Sequence, residues 1–288
     1  MHRYRADFPR VTKLTKAESR ETMGSQWENF LGNLGEWRGS FTAVNADGEL
    51  GESSPSILNL EQGDEERLVH FRLRRFSPGD EGGVPIREVH QEYRSLGKQV
   101  VFFDSGSFSK GSLQVAPGTA FGAEFGFIAG DRRHRLVQLH DPEGALESLV
   151  LIREFRSGSS TSERPALELA ALLGPWSGQV ATITADWPEP DIASCALLIA
   201  GGAGQPFQIT TQGGAGLSEN GVGHQRLLLQ PDSGYCLIPP QVSHRQAFAV
   251  EAGWLPEPDR LERLIRRYDA SGAWVSASHF SVTRGKKD

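Results

Sequence analysis

The chain has 288 residues, a formal net charge of −6 and a sequence pI near 5.8. This length can bury the core of one large domain or of two ordinary domains. The acidic balance argues against nucleic acid as the main partner, because nucleic-acid-binding proteins usually carry a basic face. No apolar run in the sequence approaches the roughly 20 residues of a membrane-spanning helix.

The cysteines and the N-terminus restrict the class of protein further. Cys195 and Cys236 have neither a metal-ligand spacing nor the number needed for a disulfide framework, so we expect no metal site and no cofactor. The basic N-terminus lacks the apolar core of a secretory signal. We therefore expect a cytoplasmic protein in which residues 1–24 form a flexible N-terminal extension.

A short helix is predicted directly after this extension. Ser25 and Glu28 have the spacing of a capping box, in which each residue accepts a hydrogen bond from the other's main chain. Apolar residues then recur on one helical face: Trp27, Phe30, Leu31 and Leu34. Later in the chain, Pro165 suits the first turn of a second helix, which is predicted to precede Trp176.

From Trp37 onward, the apolar residues alternate with a period of two, which indicates β-strands. Nine candidate strands lie between residues 36 and 156, and eight lie between residues 176 and 283. The gaps are too short for crossover helices, so neighbouring strands should be antiparallel. The sequence thus predicts an all-β protein whose strands close as up-and-down barrels, which leaves no exposed sheet edges.

Two segments, LGEWRG at residues 34–39 and LGPWSG at residues 173–178, form an internal repeat. A second repeat supports it, because residues 134–156 align without a gap with residues 262–284. Self-similarity in the same order along both halves indicates two copies of one domain. The predicted organisation is a first barrel over 25–156, a linker over 157–164 and a second barrel over 165–284.

The repeat also pairs an aromatic residue with a cation in each half. Trp37 and Trp176 open the first strand of each copy, and Arg156 and Arg284 end an apolar face of each last strand. A guanidinium group stacked on the indole ring would suit these positions.

These features resemble the lipocalin and fatty-acid-binding (calycin) superfamily. The residues that carry the resemblance are the helix, Gly35-x-Trp37, Gly174-x-Trp176, Arg156 and Arg284. In that superfamily, the tryptophan lies at the closed end of the barrel beneath an arginine of the last strand. The resemblance therefore implies a barrel-closing structural role for Trp37 with Arg156 and for Trp176 with Arg284.

The first half more narrowly resembles the cyanobacterial and algal family named domain of unknown function 3598 (DUF3598). The matching segments are QWENFL at 26–31, GEWRGSF at 35–41, FFDSGSFSKGS at 102–112 and EFGFI at 124–128. This resemblance implies two tandem lipocalin-like barrels and a photosynthetic host, without an activity. Phycobiliprotein lyases share the barrel type, which is an analogy of fold alone.

Phenylalanines interrupted by glycine and serine predict an apolar ligand pocket in the first barrel. The predicted lining residues are Phe41, Phe103, Phe108, Phe121, Phe125 and Phe127. Ordinary core filling is the alternative, because a small barrel can be solid. The strand over 98–104 is apolar on both faces, so the alternation does not decide whether Phe102 or Phe103 points inward.

Two polar segments of the first half admit a functional and a structural interpretation. Residues 105–112 could present hydroxyl groups and Lys110 to a ligand carboxylate, although an exposed, bulged turn explains them better. Glu88, His90 and Glu92 alternate on one strand face and could transfer protons. The solvated outer face of a barrel explains these three residues better.

Three functional hypotheses follow from the sequence. The first is binding of a hydrophobic or amphipathic small molecule, such as a bilin, carotenoid or lipid, in the first barrel. Another is an assembly or interaction factor with solid barrels and a protein partner. The third is a cofactor-free isomerase, cyclase or chromophore lyase, which requires a buried ionisable group such as Glu154. An arginine partner for Glu154 would argue against this third hypothesis, and we assign no catalytic residue.

Overall fold

The computed structural model describes residues 24–202, 204–213 and 225–285, so the predicted extension over 1–24 lies outside the described residues except for Gly24. These residues form two antiparallel β-sheets, one short α-helix and one 3-10 turn. No helix in the described part of the chain is long and apolar enough to cross a membrane. The predicted all-β class and the two tandem up-and-down arrangements are confirmed.

The first sheet contains nine strands in the order β4-β3-β2-β1-β9-β8-β7-β6-β5. They are β1 Gly35–Asn45, β2 Leu50–Gln62, β3 Val69–Arg75, β4 Arg87–Tyr93, β5 Val100–Phe102, β6 Phe108–Gly111, β7 Phe121–Ala129, β8 Arg132–His140 and β9 Leu146–Arg156. Each strand pairs with its chain neighbour, except across the gap between β4 and β5. The first and last strands pair with each other, which curls the sheet into a half-barrel.

The second sheet repeats this plan with eight strands in the order β12-β11-β10-β17-β16-β15-β14-β13. They are β10 Gly174–Thr184, β11 Asp191–Gly202, β12 Gln205–Gly213, β13 Arg226–Gln230, β14 Gly234–Ile238, β15 Phe248–Glu257, β16 Arg260–Tyr268 and β17 Trp274–Arg284. In both halves, five strands follow the break in strand pairing: β5–β9 after the break between β4 and β5, and β13–β17 after the break between β12 and β13. The prediction that each barrel closes completely is therefore wrong for the described strands, since each sheet keeps two unpaired edge strands.

The N-terminal helix, α1 Gln26–Leu31, covers one of these edges. Its predicted capping box is present, with Ser25 and Glu28 each accepting a main-chain hydrogen bond from the other. The Gln26 side chain takes the place of a neighbouring strand on β5. Its Nε2 donates to the carbonyl oxygen of Phe102 at 2.8 Å, and its Oε1 accepts from the Phe102 amide at 2.8 Å. This pairing protects backbone groups that an edge strand otherwise exposes.

The second predicted helix is wrong, because the described residues before Trp176 contain only a 3-10 turn, Leu169–Ala171. Upstream main-chain groups bond to the segment that joins β13 and β14 instead of forming a helix. The carbonyl oxygen of Pro165 accepts from the Ser233 amide, and the Leu167 amide donates to the carbonyl oxygen of Gln230. Tertiary hydrogen bonds therefore replace the helix that local spacing favours.

The two sheets share a hydrophobic core that residues from both halves form. The Phe121 ring lies edge-on to Phe248 and Tyr268, with centroid distances of 5.6 and 5.2 Å. Nearby, the Phe127 ring lies 6.3 Å from that of Trp254. Because this core belongs to both halves, we expect the halves to unfold as one unit.

Phe125→Ala tests this shared core. Phe125 is fully buried on the same strand face as Phe121 and Phe127, so the cavity should lower the free energy of unfolding by about 3–5 kcal/mol. Denaturant unfolding should still show one transition, displaced as a whole. Leu139→Ala, at a position 36% exposed on β8, is the control and should have little effect. Two separate transitions, with only one displaced, would contradict a common core.

Candidate functional site

The Gly-x-Trp-x-Gly segment lies at the start of β1, where β1 pairs with the end of β9. Trp37 is fully buried, and its Nε1 donates to the carbonyl oxygen of Asn33 at 2.9 Å. Arg156 lies directly opposite Trp37 in the pairing of β1 with β9, and its Cζ lies 4.4 Å from the indole centroid. Its Nη1 also donates to the carbonyl oxygen of Leu34 at 2.8 Å. The arginine thus ties the last strand to the helix–strand junction.

The second sheet repeats this arrangement with equivalent residues. Trp176 Nε1 donates to the carbonyl oxygen of Leu172 at 2.8 Å. Arg284 lies opposite Trp176 in the register, with its Cζ 4.3 Å from the indole centroid. Its Nη1 donates to the carbonyl oxygen of Leu173 at 2.9 Å. Both halves therefore place an arginine over a tryptophan at the same end of the sheet.

The first and the last glycine of the motif are each required by a different steric constraint. Gly35 and Gly174 adopt φ values of +125° and +110°, which favour glycine. A Cβ atom at Gly39 would collide with the main-chain carbonyl oxygen of Arg153, and one at Gly178 would meet the equivalent backbone of β17. The last position of the motif is glycine because the last strand approaches too closely for any side chain.

Three buried charged residues and the partly exposed Glu124 lie beside the Trp37–Arg156 pair on the inner face, which we define as the concave side of the first sheet. Arg135 Nη2 and Nε lie 2.9 and 3.0 Å from the two carboxylate oxygens of Glu154. Arg135 Nη1 reaches Glu124 Oε1 at 2.8 Å. Arg133 Nη1 lies 3.5 Å from Glu154 Oε2. Two guanidinium groups and two carboxylates therefore neutralise one another inside the sheet.

The electrostatics of this cluster keep Glu154 ionised. Burial opposes its ionisation, but the charges of Arg135 and Arg133 outweigh burial and lower the pKa of Glu154. Burial also lowers the pKa of Arg133 to about 10, despite the opposing charge of Glu154. A carboxylate held this way is a fixed anion, whereas an acid–base catalyst must exchange protons near neutral pH. The arginine pairing of Glu154 therefore argues against the enzyme hypothesis.

The second sheet contains a reduced version of the cluster. Arg263 Nε and Nη2 lie 2.6 and 2.8 Å from the Glu251 carboxylate, in the positions of Arg135 and Glu124. The internal alignment places Leu261 where the first half has Arg133, and Val282 where it has Glu154. One ion pair is therefore common to both halves, and a second is replaced by apolar residues in the second half.

The structure separates the six phenylalanines that were predicted to line one pocket. Phe41 and Phe108 lie on the inner face of the first sheet. The other four lie in the core between the two sheets: Phe103, Phe121, Phe125 and Phe127. Alternate residues of a strand face opposite sides, so Glu124 occupies the inner face of β7. The six phenylalanines therefore do not line a common pocket, and Phe102 takes the inner position of β5.

The inner face of the first sheet is open to solvent toward the gap between β4 and β5. Ala43 and Lys110 are exposed, and Tyr93, Val137 and Val150 are partly exposed. A cleft of about 570 Å³ opens at this rim. Its lining includes Gln99, Lys110, Leu113, Glu124 and Val137. Polar and apolar groups thus border a space large enough for a small molecule.

The inner face of the second sheet differs in the part of the chain that the structure describes. The described side chains there form one compact apolar cluster. Its most buried members, each at most 1% exposed, include Trp176, Val180, Leu197, Tyr235 and Phe280. The two halves therefore share the arginine–tryptophan contact but differ in the side chains beside it.

Phe41 lies between two arginines that the sequence analysis did not single out. The Cζ of Arg75 lies 4.9 Å from its ring centroid, and that of Arg135 lies 5.6 Å away. Alternation with Phe71 and Leu73 is the sequence signal that places Arg75 on the inner face. By contrast, the polar residues of β4 considered for proton transfer are exposed, as their interpretation as an outer face requires: Glu88, His90 and Glu92.

Comparisons with known proteins agree with this architecture. Residues 23–159 match the family described as domain of unknown function (DUF3598), N-terminal. A crystal structure of a DUF3598 protein from Nostoc punctiforme is 36% identical, with a TM-score of 0.81, over 91% of this chain and 100% of that chain. The chain belongs to the DUF3598 family. The family membership predicted from the sequence segments is thereby confirmed.

The second half of this DUF3598 protein has a separate match. Residues 163–285 match the family described as biogenesis factor required for ATP synthase 1, C-terminal domain. An S-type phycobiliprotein lyase from Guillardia theta is similar over 50% of this chain and 98% of its own, with 17% identity and a TM-score of 0.34. Similarity at that level carries no functional argument. A search of curated proteins gave no match.

The internal repeat supplies a test of the charged cluster. Glu154→Val alone leaves Arg133 buried without its carboxylate, and we expect the free energy of unfolding to fall by about 3–5 kcal/mol. The double variant Arg133→Leu with Glu154→Val copies the second half and should recover most of that loss. The free energies of unfolding of both variants, measured by denaturant titration, test this expectation. A double variant no more stable than the single variant would contradict the charge balance described above.

Proposed function

We propose that the protein binds a hydrophobic or amphipathic small molecule on the inner face of its first sheet. The observation that carries the proposal is the contrast between the halves. The first inner face is partly exposed and borders a cleft of about 570 Å³, whereas the second is filled by buried apolar side chains. Two copies of one fold that differ in this way indicate that one keeps a binding surface.

The chemistry of the open face supports an amphipathic ligand. Val137 and Val150 supply apolar surface, Phe41 supplies an aromatic ring, and Lys110 supplies an exposed cation. The ionised, arginine-paired state of Glu154 favours binding over catalysis. Bilins, carotenoids and lipids are the classes that combine an extended apolar body with few polar groups.

The proposal is tested by titrating the purified full-length protein with biliverdin, a carotenoid and oleate, followed by tryptophan fluorescence. Ala43→Trp places a large ring on the exposed inner face of β1 and should weaken binding more than about tenfold, or about 1.4 kcal/mol. Arg38→Trp adds the same ring on the opposite face of that strand and is the matched control. Equal affinity in both variants, or no binding by the wild type, would contradict the proposal.

Assembly of a protein complex is a second candidate function. The match of residues 163–285 to a family named for a biogenesis factor required for ATP synthase favours it, as does the filled interior of the second sheet. This function would make the second half a protein-binding module. The two candidates separate experimentally, because a strain that carries Ala43→Trp should keep an assembly function and lose a ligand-dependent one.

A further inference from the structure

We propose that Arg75 and Arg87 form a subsite for the acidic group of the ligand, which makes that ligand a carboxylate-bearing amphiphile. The inference rests on the proposed function. Arg75 and Arg87 are directly opposite each other in the pairing of β3 with β4. They alternate with Leu73 and Tyr93, which pack on the inner core of the first sheet, so both occupy that face. Like charges in this position destabilise a sheet unless an anion lies near them.

The protein itself does not supply this anion. Among the residues that the structure describes, neither Arg75 nor Arg87 has a carboxylate partner, whereas Arg133, Arg135 and Arg156 on the same face each have one. Arg72 on the outer face of β3 is also paired, with Glu88 at 2.6 Å. Two adjacent cations without a carboxylate thus remain at the rim of the open face.

Two buried hydrogen-bond donors, Arg75 Nε and Ser56 Oγ, have no partner among the described residues. Arg75 bonds through Nη2 to Ser54 Oγ, and its buried Nε has no partner among the described residues. Ser56 lies opposite Arg75 in the pairing of β2 with β3, is 3% exposed, and has a buried Oγ that also has no described partner. A carboxylate oxygen can accept from both groups and would satisfy them.

Phe41 fixes the orientation of the Arg75 guanidinium group. The Arg75 Cζ lies 4.9 Å from the ring centroid of Phe41, so the guanidinium packs against the aromatic ring. An arginine held this way retains N–H groups at its edge, and two of them match the spacing of carboxylate oxygens. The ring therefore reduces the conformational freedom that Arg75 would lose on binding an anion.

The described residues of the second half do not repeat Ser56 and Arg75. Its register runs from Gly178 to Cys195 and then to Gly213, the positions that correspond to Gly39, Ser56 and Arg75. The described part of that half thus has a buried thiol and a glycine in place of the serine and the arginine. Arg75 therefore has no cationic equivalent at this register position of the described second half.

The test compares acids with their neutral esters, using oleate with methyl oleate and biliverdin with its dimethyl ester. The wild type should bind an acid about tenfold more tightly than its ester. Arg75→Gln and Arg87→Gln should each bring the ratio of acid affinity to ester affinity close to one. Arg72→Gln, on the outer face of β3, is the control and should keep the preference. Preference for oleate indicates a lipid acid, and preference for biliverdin indicates a carboxylated pigment.

A second measurement separates the subsite from the proposed function. Phosphate should raise the melting temperature of the wild type more than chloride at equal ionic strength, and Arg87→Gln should remove this difference. If no amphiphile binds but the phosphate effect disappears in Arg87→Gln, the anion subsite stands and the proposed function fails. Acid and ester bound equally by the wild type, or a phosphate effect unchanged in Arg87→Gln, would overturn the subsite.

Discussion

An arginine of the last strand stacks on a tryptophan of the first strand in each half, and the rest of both sheets depends on this contact. It requires β1 to pair with β9, and β10 with β17, directly at the tryptophan. The close approach leaves no room for a Cβ atom at Gly39 or at Gly178. The contact thereby goes with one register at the tryptophan of each half, and the close approach explains why the motif contains both glycine and tryptophan.

The two halves build different interiors on this common frame. Both place an aromatic ring over a glycine, with Phe108 on Gly126 and Tyr235 on Gly253, and both contain a buried glutamate–arginine pair. Beyond these shared features, the described inner side chains of the second half pack into one buried apolar cluster, while the first half keeps extra charges and a partly exposed inner face. The outer faces of both sheets meet in one core, so the second half also serves as support for the first.

Much of the fold follows from alternation and the repeat. The period of two locates all seventeen strands, and the capping residues locate α1. The alternation alone does not decide which face of a strand points into the half-barrel. Phe121, Phe125 and Phe127 make one face of β7 apolar because it packs on the second half, and an apolar face buried between sheets has the same period as one buried inside a barrel.

Other features depend on contacts between distant segments and therefore leave no local signal. The helix favoured at Pro165 is lost because Pro165 and Leu167 bond to the segment joining β13 and β14. The opposition of Arg75 and Arg87 exists only once the register of β3 and β4 is fixed. The pairing of Glu154 with Arg135 likewise needs the register of neighbouring strands, although both residues are visible in the sequence.

If the inner face of the first sheet holds a small molecule, that molecule should remain with the protein through purification. Native mass spectrometry of the protein, purified from a pigment-producing cyanobacterium, is the direct measurement. We expect one stoichiometric bound molecule that carries a carboxylate. A mass equal to that of the bare chain, unchanged after incubation with biliverdin, a carotenoid or oleate, would contradict it.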